Sequence, residues 1–400
     1  MGWQPEGGFL LPDMYYATQN ETSSEFSLTP PSGLESLSGG WKSQGTWAEW
    51  IDAMNEVQDF PYMFISVYAS AAAPLLEVLR VPGFVLDFSG ETSGGKTTAL
   101  RFAASVWGRP TESYPTAMYS WDATKVWIER TSGFLKNLPL ILDETKRARH
   151  NRIVRDVIYD FCQGQGRGRG SLDGTRHTDS WRSILISSGE GAATSFSQDA
   201  GTRARVLSMK GKPLGDDVVL GSAASENAQA LLAKSFGHLG RKVVEYLVAN
   251  ASRHDDFRAV FQRARERYSQ IAKTAVARRH AGHLAVLEVS ASIVHKLGVP
   301  QPNSDPFMYL LQSQEQAGYD ADRPLSALQD VLTWCASNQK RFWGRAERDR
   351  EGNTRSPSNG WAGAWEQKDD WDCISITTNE FSKLMKEFGH EPDEIVTRWK

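Results

Sequence analysis

Cysteine is nearly absent: Cys162, Cys335 and Cys373 are the three in 400 residues, an odd number without metal-ligand spacing. That excludes a disulfide framework and a zinc ribbon, and fits free thiols in a reducing cytoplasm. A long apolar run is missing too. The greasiest stretch, Tyr62 to Leu79, is interrupted by Pro74 and Glu77 and reads as a buried helix rather than a membrane span. The first residues, Met1-Gly-Trp-Gln-Pro-Glu, lack the basic region and apolar core of a signal peptide. The net charge of −3 gives no bulk attraction to nucleic acid, so any such contact must come from local basic clusters. Internal repeats and low-complexity segments are absent. These absences leave a cytoplasmic protein without a membrane partner. At 40% hydrophobic residues over 400 positions, it is large enough for two or three domains.

What the chain does have is a complete G-x-x-x-x-G-K-[ST] sequence from Gly90 to Thr97: Gly90, Glu91, Thr92, Ser93, Gly94, Gly95, Lys96, Thr97. It follows the short apolar run Gly83–Ser89, and the helically spaced Thr98–Trp107 follows it. The chemistry needs this strand–loop–helix order. Glycines let backbone N–H groups wrap phosphates, and a helix N-terminus that begins about Thr98 adds a favourable dipole. Lys96 reaches the β/γ-phosphates and the Thr97 hydroxyl ligates Mg²⁺, so the motif predicts a site for ATP and Mg²⁺.

Downstream, Leu138-Pro-Leu-Ile-Leu142 ends in Asp143-Glu144. Carboxylates at the carboxyl end of a parallel strand lie where ligands bind in open α/β sheets. Asp143 is expected to hold the metal and Glu144 to polarise the attacking water. The bland alternative is a strand ending in a solvated acidic turn. A third strand, Ser183–Ser188, ends in hydroxyls that place Ser188 as a sensor of the γ-phosphate. The segment Asp199-Ala-Gly-Thr-Arg-Ala-Arg205 precedes a fourth strand, Val206–Met209. Arg203 or Arg205 there suits an arginine finger offered to a neighbouring subunit, with Arg203 favoured and ordinary surface arginines the alternative. Between the acidic strand and the Ser-ended one, residues 164–177 set Arg167, Arg169 and Arg176 among glycines. A basic hairpin of this kind can follow a phosphate backbone; a solvated loop is the competing description.

The first 45 residues are rich in Gly, Ser, Thr and Pro with short β-like pieces. Strands and helices then alternate to about Pro213, helical patterns run from about Ser222 to Val299, and a mixed tail begins at Pro324. Alternation of this kind predicts an α/β core with a parallel sheet.

Taken together, the order of these elements resembles an AAA+ ATPase, and more specifically the domain-of-unknown-function 927 family of phages and bacterial mobile elements. The resembling stretches are Gly90–Leu100, Ser120–Thr124, Leu138–Glu144, Gly164–Arg169, Trp181–Glu190, Gly201–Val206 and Phe236–Gly240, continuing into the Trp-rich tail. The resemblance implies a P-loop NTPase core over 46–215, a helical lid over 216–320 and a small α+β domain over 321–400. It also implies a β-rich segment over 1–45 left from an upstream domain, as though the chain were cut from a longer protein. It further implies a replicative helicase akin to the minichromosome-maintenance and superfamily 3 types, a hexameric ring on DNA with the basic insertion as pore hairpin. Arg278 or Arg279 would be the lid's second sensor. Where many AAA+ proteins have Asn at the end of the sensor strand, this chain has Ser-Ser. The tail's helix, β-hairpin and helix suit either a winged-helix-like DNA-binding module or a packing domain.

Two functions from different classes therefore stand: an ATP-driven DNA motor, and an ATP-binding switch that controls a partner complex, for instance in phage defence, without translocation. The Arg-rich hairpin separates them, because a switch has no need of a basic loop.

Overall fold

The run Phe84-Val-Leu-Asp-Phe-Ser89 forms strand β1, every residue of it buried, as a parallel strand covered on both faces requires. With β2 (Tyr119–Ser120), β3 (Leu140–Asp143), β4 (Ile184–Gly189) and β5 (Val206–Lys210) it builds a five-stranded sheet in the order β5-β1-β4-β3-β2. All four pairings are parallel. The computed structural model describes every residue except 19–22, 26, 33, 169, 172–173, 176–177, 197–202, 321–322, 349–350, 369–370 and 400. It divides into two units, Met1–Ala317 and Gly318–Lys400.

In the first unit, helices α1 (Trp47–Asn55) and α2 (Pro61–Ala72) both contact α3 (Lys96–Ser105), α1 through Trp50 Nε1 to Ser105 Oγ at 3.0 Å. Thr46 starts α1 through a reciprocal capping box with Glu49, which satisfies two otherwise orphaned N–H donors. The apolar stretch around Tyr62 is helix α2, with eleven of its twelve residues buried. It is tied to its surroundings at Ser70, whose Oγ donates to Ala103 O at 2.6 Å and whose main-chain carbonyl accepts from Trp107 Nε1 at 3.0 Å. Among the described residues no helix is long and apolar enough to cross a membrane.

Helices α4 (Lys125–Leu135) and α5 (Asn151–Gln163) follow β2 and β3. Beyond β5 come α6 (Val218–Leu232), α7 (His238–Ala249), α8 (His254–Ile271), α9 (Ala275–Lys296) and α10 (Pro306–Asp320). The two long helical patterns of the sequence are thus broken at Gly237, which is left-handed with φ 80°, and at Ala272–Thr274. Helix α9 lies on the core: Ser290 Oγ donates to Tyr68 O at 2.8 Å, and the His283 ring stacks on Phe84 at 4.4 Å. The first residues form a meander of four short antiparallel strands, Gly2–Trp3, Phe9–Leu10, Met14–Tyr16 and Ser24–Glu25. They are tied into the same unit by Trp3 N–H to Asn137 Oδ1 (3.0 Å) and the Arg241–Asp13 ion pair (2.6 Å).

The second unit holds α11 (Arg323–Ser337), a three-stranded sheet of β6 (Phe342–Trp343), β7 (Gly363–Lys368) and β8 (Trp371–Ile376), then α12 (Thr378–Glu387) and α13 (Pro392–Trp399). β7 and β8 are an antiparallel hairpin, and β6 joins β7 in parallel. Ala327, Val331, Phe342, Met385 and Ile395 are among the residues of its own small core.

Candidate nucleotide site

All five strands run parallel, so their carboxyl ends share one rim, and the Gly90–Thr97 loop leaves β1 there. Two glycines make its path possible. Gly95 is left-handed (φ 89°), and a Cβ on it would lie 2.5 Å from Leu214 Cγ; at Gly90 (φ 150°) it would lie 2.8 Å from Gly211 O. Helix α3 starts at once after Gly95 with no side-chain cap, leaving first-turn N–H groups available to an anion. Lys96 is buried, and its Nζ donates to the carbonyls of Gly90 (2.7 Å) and Glu91 (2.5 Å). The ammonium is thereby held inside the loop.

Two strands away in the sheet, β3 delivers Asp143 to the same rim. Thr97 Oγ1 donates to the Asp143 carboxylate at 3.2 and 3.4 Å. A hydroxyl and a carboxylate are the hard oxygen donors that suit Mg²⁺ completed by phosphate oxygens and water. Thr97 and Asp143 are the residues that would hold it. No group of three or more His, Cys, Asp or Glu side chains able to bind a metal exists among the described residues.

Strand β4 lies between β1 and β3, and its end joins the acidic pair. Ser188 Oγ donates to Asp143 Oδ1 and accepts the Glu144 N–H at 3.0 Å. Ser188 is 1% exposed, so both bonds are shielded from water. Glu144 takes a left-handed conformation (φ 62°), and its carboxylate accepts the Lys146 N–H at 3.1 Å. A non-glycine residue pays strain in that region, and the Ser188 bond helps hold it there. The hydroxyl expected at the γ-phosphate is thus spent on the acidic pair. Trp121, fully buried, completes the frame: its N–H reaches Asp143 O (3.1 Å) and its Nε1 reaches Ser187 Oγ (3.0 Å).

Asp87 escaped the sequence reading. It sits in the middle of β1, and its Oδ2 accepts the Ala193 N–H at 2.7 Å, where the chain leaves β4. Burial pushes this carboxyl up to about 7. An acid at the centre of an otherwise apolar six-residue strand was the available signal.

The remaining candidates lie elsewhere. Arg205 precedes β5 and its carbonyl accepts the Val85 N–H, so it stands at the amino ends of the strands. β1 carries the chain from Phe84 to Ser89 before the loop begins, roughly 17 Å at ordinary strand rise. The Arg205 guanidinium lies over the Tyr159 ring at 5.2 Å. His280 Nε2 lies 3.3 Å from Arg203 O, and its Nδ1 lies 2.8 Å from Gln314 Oε1. Burial holds the pKa of His280 below its ordinary value and that of His283 down to about 3. Arg278 and Arg279 open the same α9, next to His280. The fold therefore sets them at the rim opposite the Gly90–Thr97 loop of their own chain and does not bring them to it. Thr98 faces α6, its Oγ1 3.0 Å from Ser225 Oγ, away from the rim.

Of the basic insertion, the strands Gly170–Ser171 and Gly174–Thr175 pair as an antiparallel hairpin. Arg167, at its base, ion-pairs with Asp160 at 3.6 Å and is 64% exposed, so it can exchange that partner for a phosphate. Arg169 and Arg176 fall outside the described residues. Beside Asp143, a pocket of about 450 Å³ opens between Tyr114, Tyr119, Asp122, Trp127 and Arg147.

Comparison with known proteins adds a family and a solved structure. The solved structure of SCCmec type IV Cch, an active helicase, superposes with a TM-score of 0.72 at 20% identity, over 98% of this chain and 72% of that one. At that identity the likeness is one of fold. No curated protein matches. The family described as Domain of unknown function (DUF927) matches residues 1–181, a span that holds the Gly90–Thr97 loop and Asp143–Glu144 and ends just before β4.

Proposed function

We propose that this chain is an ATP-hydrolysing DNA motor of the AAA+ type, assembled as a hexameric ring and serving replication of a phage or mobile element. The observation that carries it is the meeting of Lys96, Thr97, Asp143, Glu144 and Ser188 from three strands at one rim. In this reading the Gly90–Thr97 loop binds the phosphates through backbone N–H groups and Lys96. Thr97 and Asp143 would hold Mg²⁺, which would supply positive charge against the phosphates. Glu144 orients the attacking water and accepts its proton, while Ser188 and Trp121 keep both acids in register. Residues 216–320 serve as the helical lid, although Arg278 and Arg279 belong to another rim.

Arg203 lies at the rim away from its own loop, which suits a finger supplied to a neighbour. The Gly170–Thr175 hairpin with Arg167 at its base leaves the sheet between α5 and β4. In a ring it would project Arg167, Arg169 and Arg176 toward DNA, its contacts running to the backbone and not to base edges. The fold shared with an active helicase supports the same reading. The test is ATP turnover with and without single-stranded DNA, alongside mass by light scattering. Stimulation by DNA in a ring-sized species is expected. Turnover indifferent to DNA, from a species that never exceeds a dimer, would favour a nucleotide switch instead.

A further inference from the structure

Trp343 is 54% exposed, unusual for so large an apolar side chain. The cause is strand alternation. Phe342 enters the core of the second unit, so its neighbour on β6 must face solvent. Register sets Trp343 beside Ala364 of β7, which in turn pairs with Ser375 of β8. The floor next to the indole is therefore small-sided and open. Trp361 meets Trp343 edge to face, ring centres 5.4 Å apart.

Both indoles are fixed from behind. Gly344 (φ 93°) turns the chain directly after Trp343, and a Cβ there would lie 2.4 Å from Trp365 O. Arg341 holds the approach to Trp361 by donating to Asn359 O (3.2 Å) and Gly360 O (3.3 Å), anchored in turn on Glu380 at 2.8 Å. Charge supplies the second clue. Residues 338–361 carry six Lys or Arg against three Asp or Glu; Lys340, Arg341 and Arg345 are engaged by Glu347, Glu380 and Asp372, while Arg348 and Arg355 are exposed. A protein-binding patch needs an apolar centre, yet residues 344–360 contain no Leu, Ile, Val, Met or Phe. One exposed ring face in a basic strip instead matches what an unpaired base and its phosphate require.

We propose that Trp343, buttressed by Trp361, is a base-stacking platform for single-stranded nucleic acid, with the exposed Arg355 along the backbone of the same strand. This site is separate from the nucleotide loop and does not depend on ATP hydrolysis.

The full-length chain, mixed with oligo-thymidylate carrying 5-iodo-deoxyuridine and irradiated, tests it by peptide mapping. The cross-linked peptide should contain Trp343, with or without nucleotide and equally in Lys96→Ala. On an Arg167→Ala/Arg169→Ala background, Trp343→Ala should weaken binding roughly tenfold or more with little change in salt slope, and Trp343→Phe should largely restore it. Arg355→Ala should instead lower the slope by about 0.7. Cross-links confined to other segments, or wild-type affinity in Trp343→Ala, would overturn the proposal while leaving the motor reading untouched.

Discussion

Replacing Ser188 by alanine is the sharpest probe of the nucleotide rim, because one hydroxyl joins both acids. It donates to Asp143 and accepts the Glu144 N–H at 3.0 Å, in a side chain only 1% exposed. Removing it loses a charge-assisted hydrogen bond and leaves a partly buried N–H without its acceptor, a cost of about 2 kcal/mol. The effect on turnover should exceed the effect on stability. Glu144 would relax from its left-handed conformation, and displacing a catalytic group by an ångström costs about a hundredfold. Magnesium-dependent ATP turnover of Ser188→Ala should fall by about ten- to a hundredfold, with nucleotide affinity nearly unchanged. Urea unfolding reports the stability, and Ser188→Thr, which keeps the hydroxyl, should recover much of the rate. Wild-type turnover in a folded Ser188→Ala protein would refute the idea that this hydroxyl holds the acidic pair in its working geometry.

Other outcomes follow from the same geometry. Lys96→Ala should abolish hydrolysis, whereas Glu144→Gln should bind ATP and hydrolyse it poorly; near-normal turnover in Glu144→Gln would remove that residue from the mechanism. Mixing an Arg203→Ala variant with Lys96→Ala should restore part of the activity that each lacks, because one interface then pairs an intact loop with an intact arginine. No recovery in demonstrably mixed oligomers would make Arg203 structural. Burial holds Asp87 up at about 7, above an unfolded value of about 3.9. Its contribution to stability is therefore full below pH 4 and lost as pH rises through 7. Asp87→Asn should remove that slope, and relative to wild type the variant should gain on the order of 4 kcal/mol between pH 4 and pH 8; urea midpoints that shift in parallel at both pH values would contradict it.

The sequence by itself determined the local pieces. The strand–loop–helix order around Gly90–Thr97 was legible, and the structure gives Gly90 and Gly95 positive φ angles and close contacts that a side chain would strain. The apolar runs before Asp143 and through Ser188 became β3 and β4, since short buried strands advertise themselves by composition. Tertiary structure alone decided the order β5-β1-β4-β3-β2. That order sets Ser188 between the loop and the acidic strand, where its hydroxyl bonds both Asp143 and Glu144. It also separated residues that helical periodicity could not rank. Arg278 and Arg279 carry the same charge as a lid sensor, but His280 and His283 bury α9 against Arg203 and Phe84, at the other rim. Trp343 passed unnoticed among fourteen tryptophans for the same reason. Which face of a two-residue strand meets water is fixed by its partner strand and by the core that claims Phe342, and neither is written in the spacing of the residues themselves.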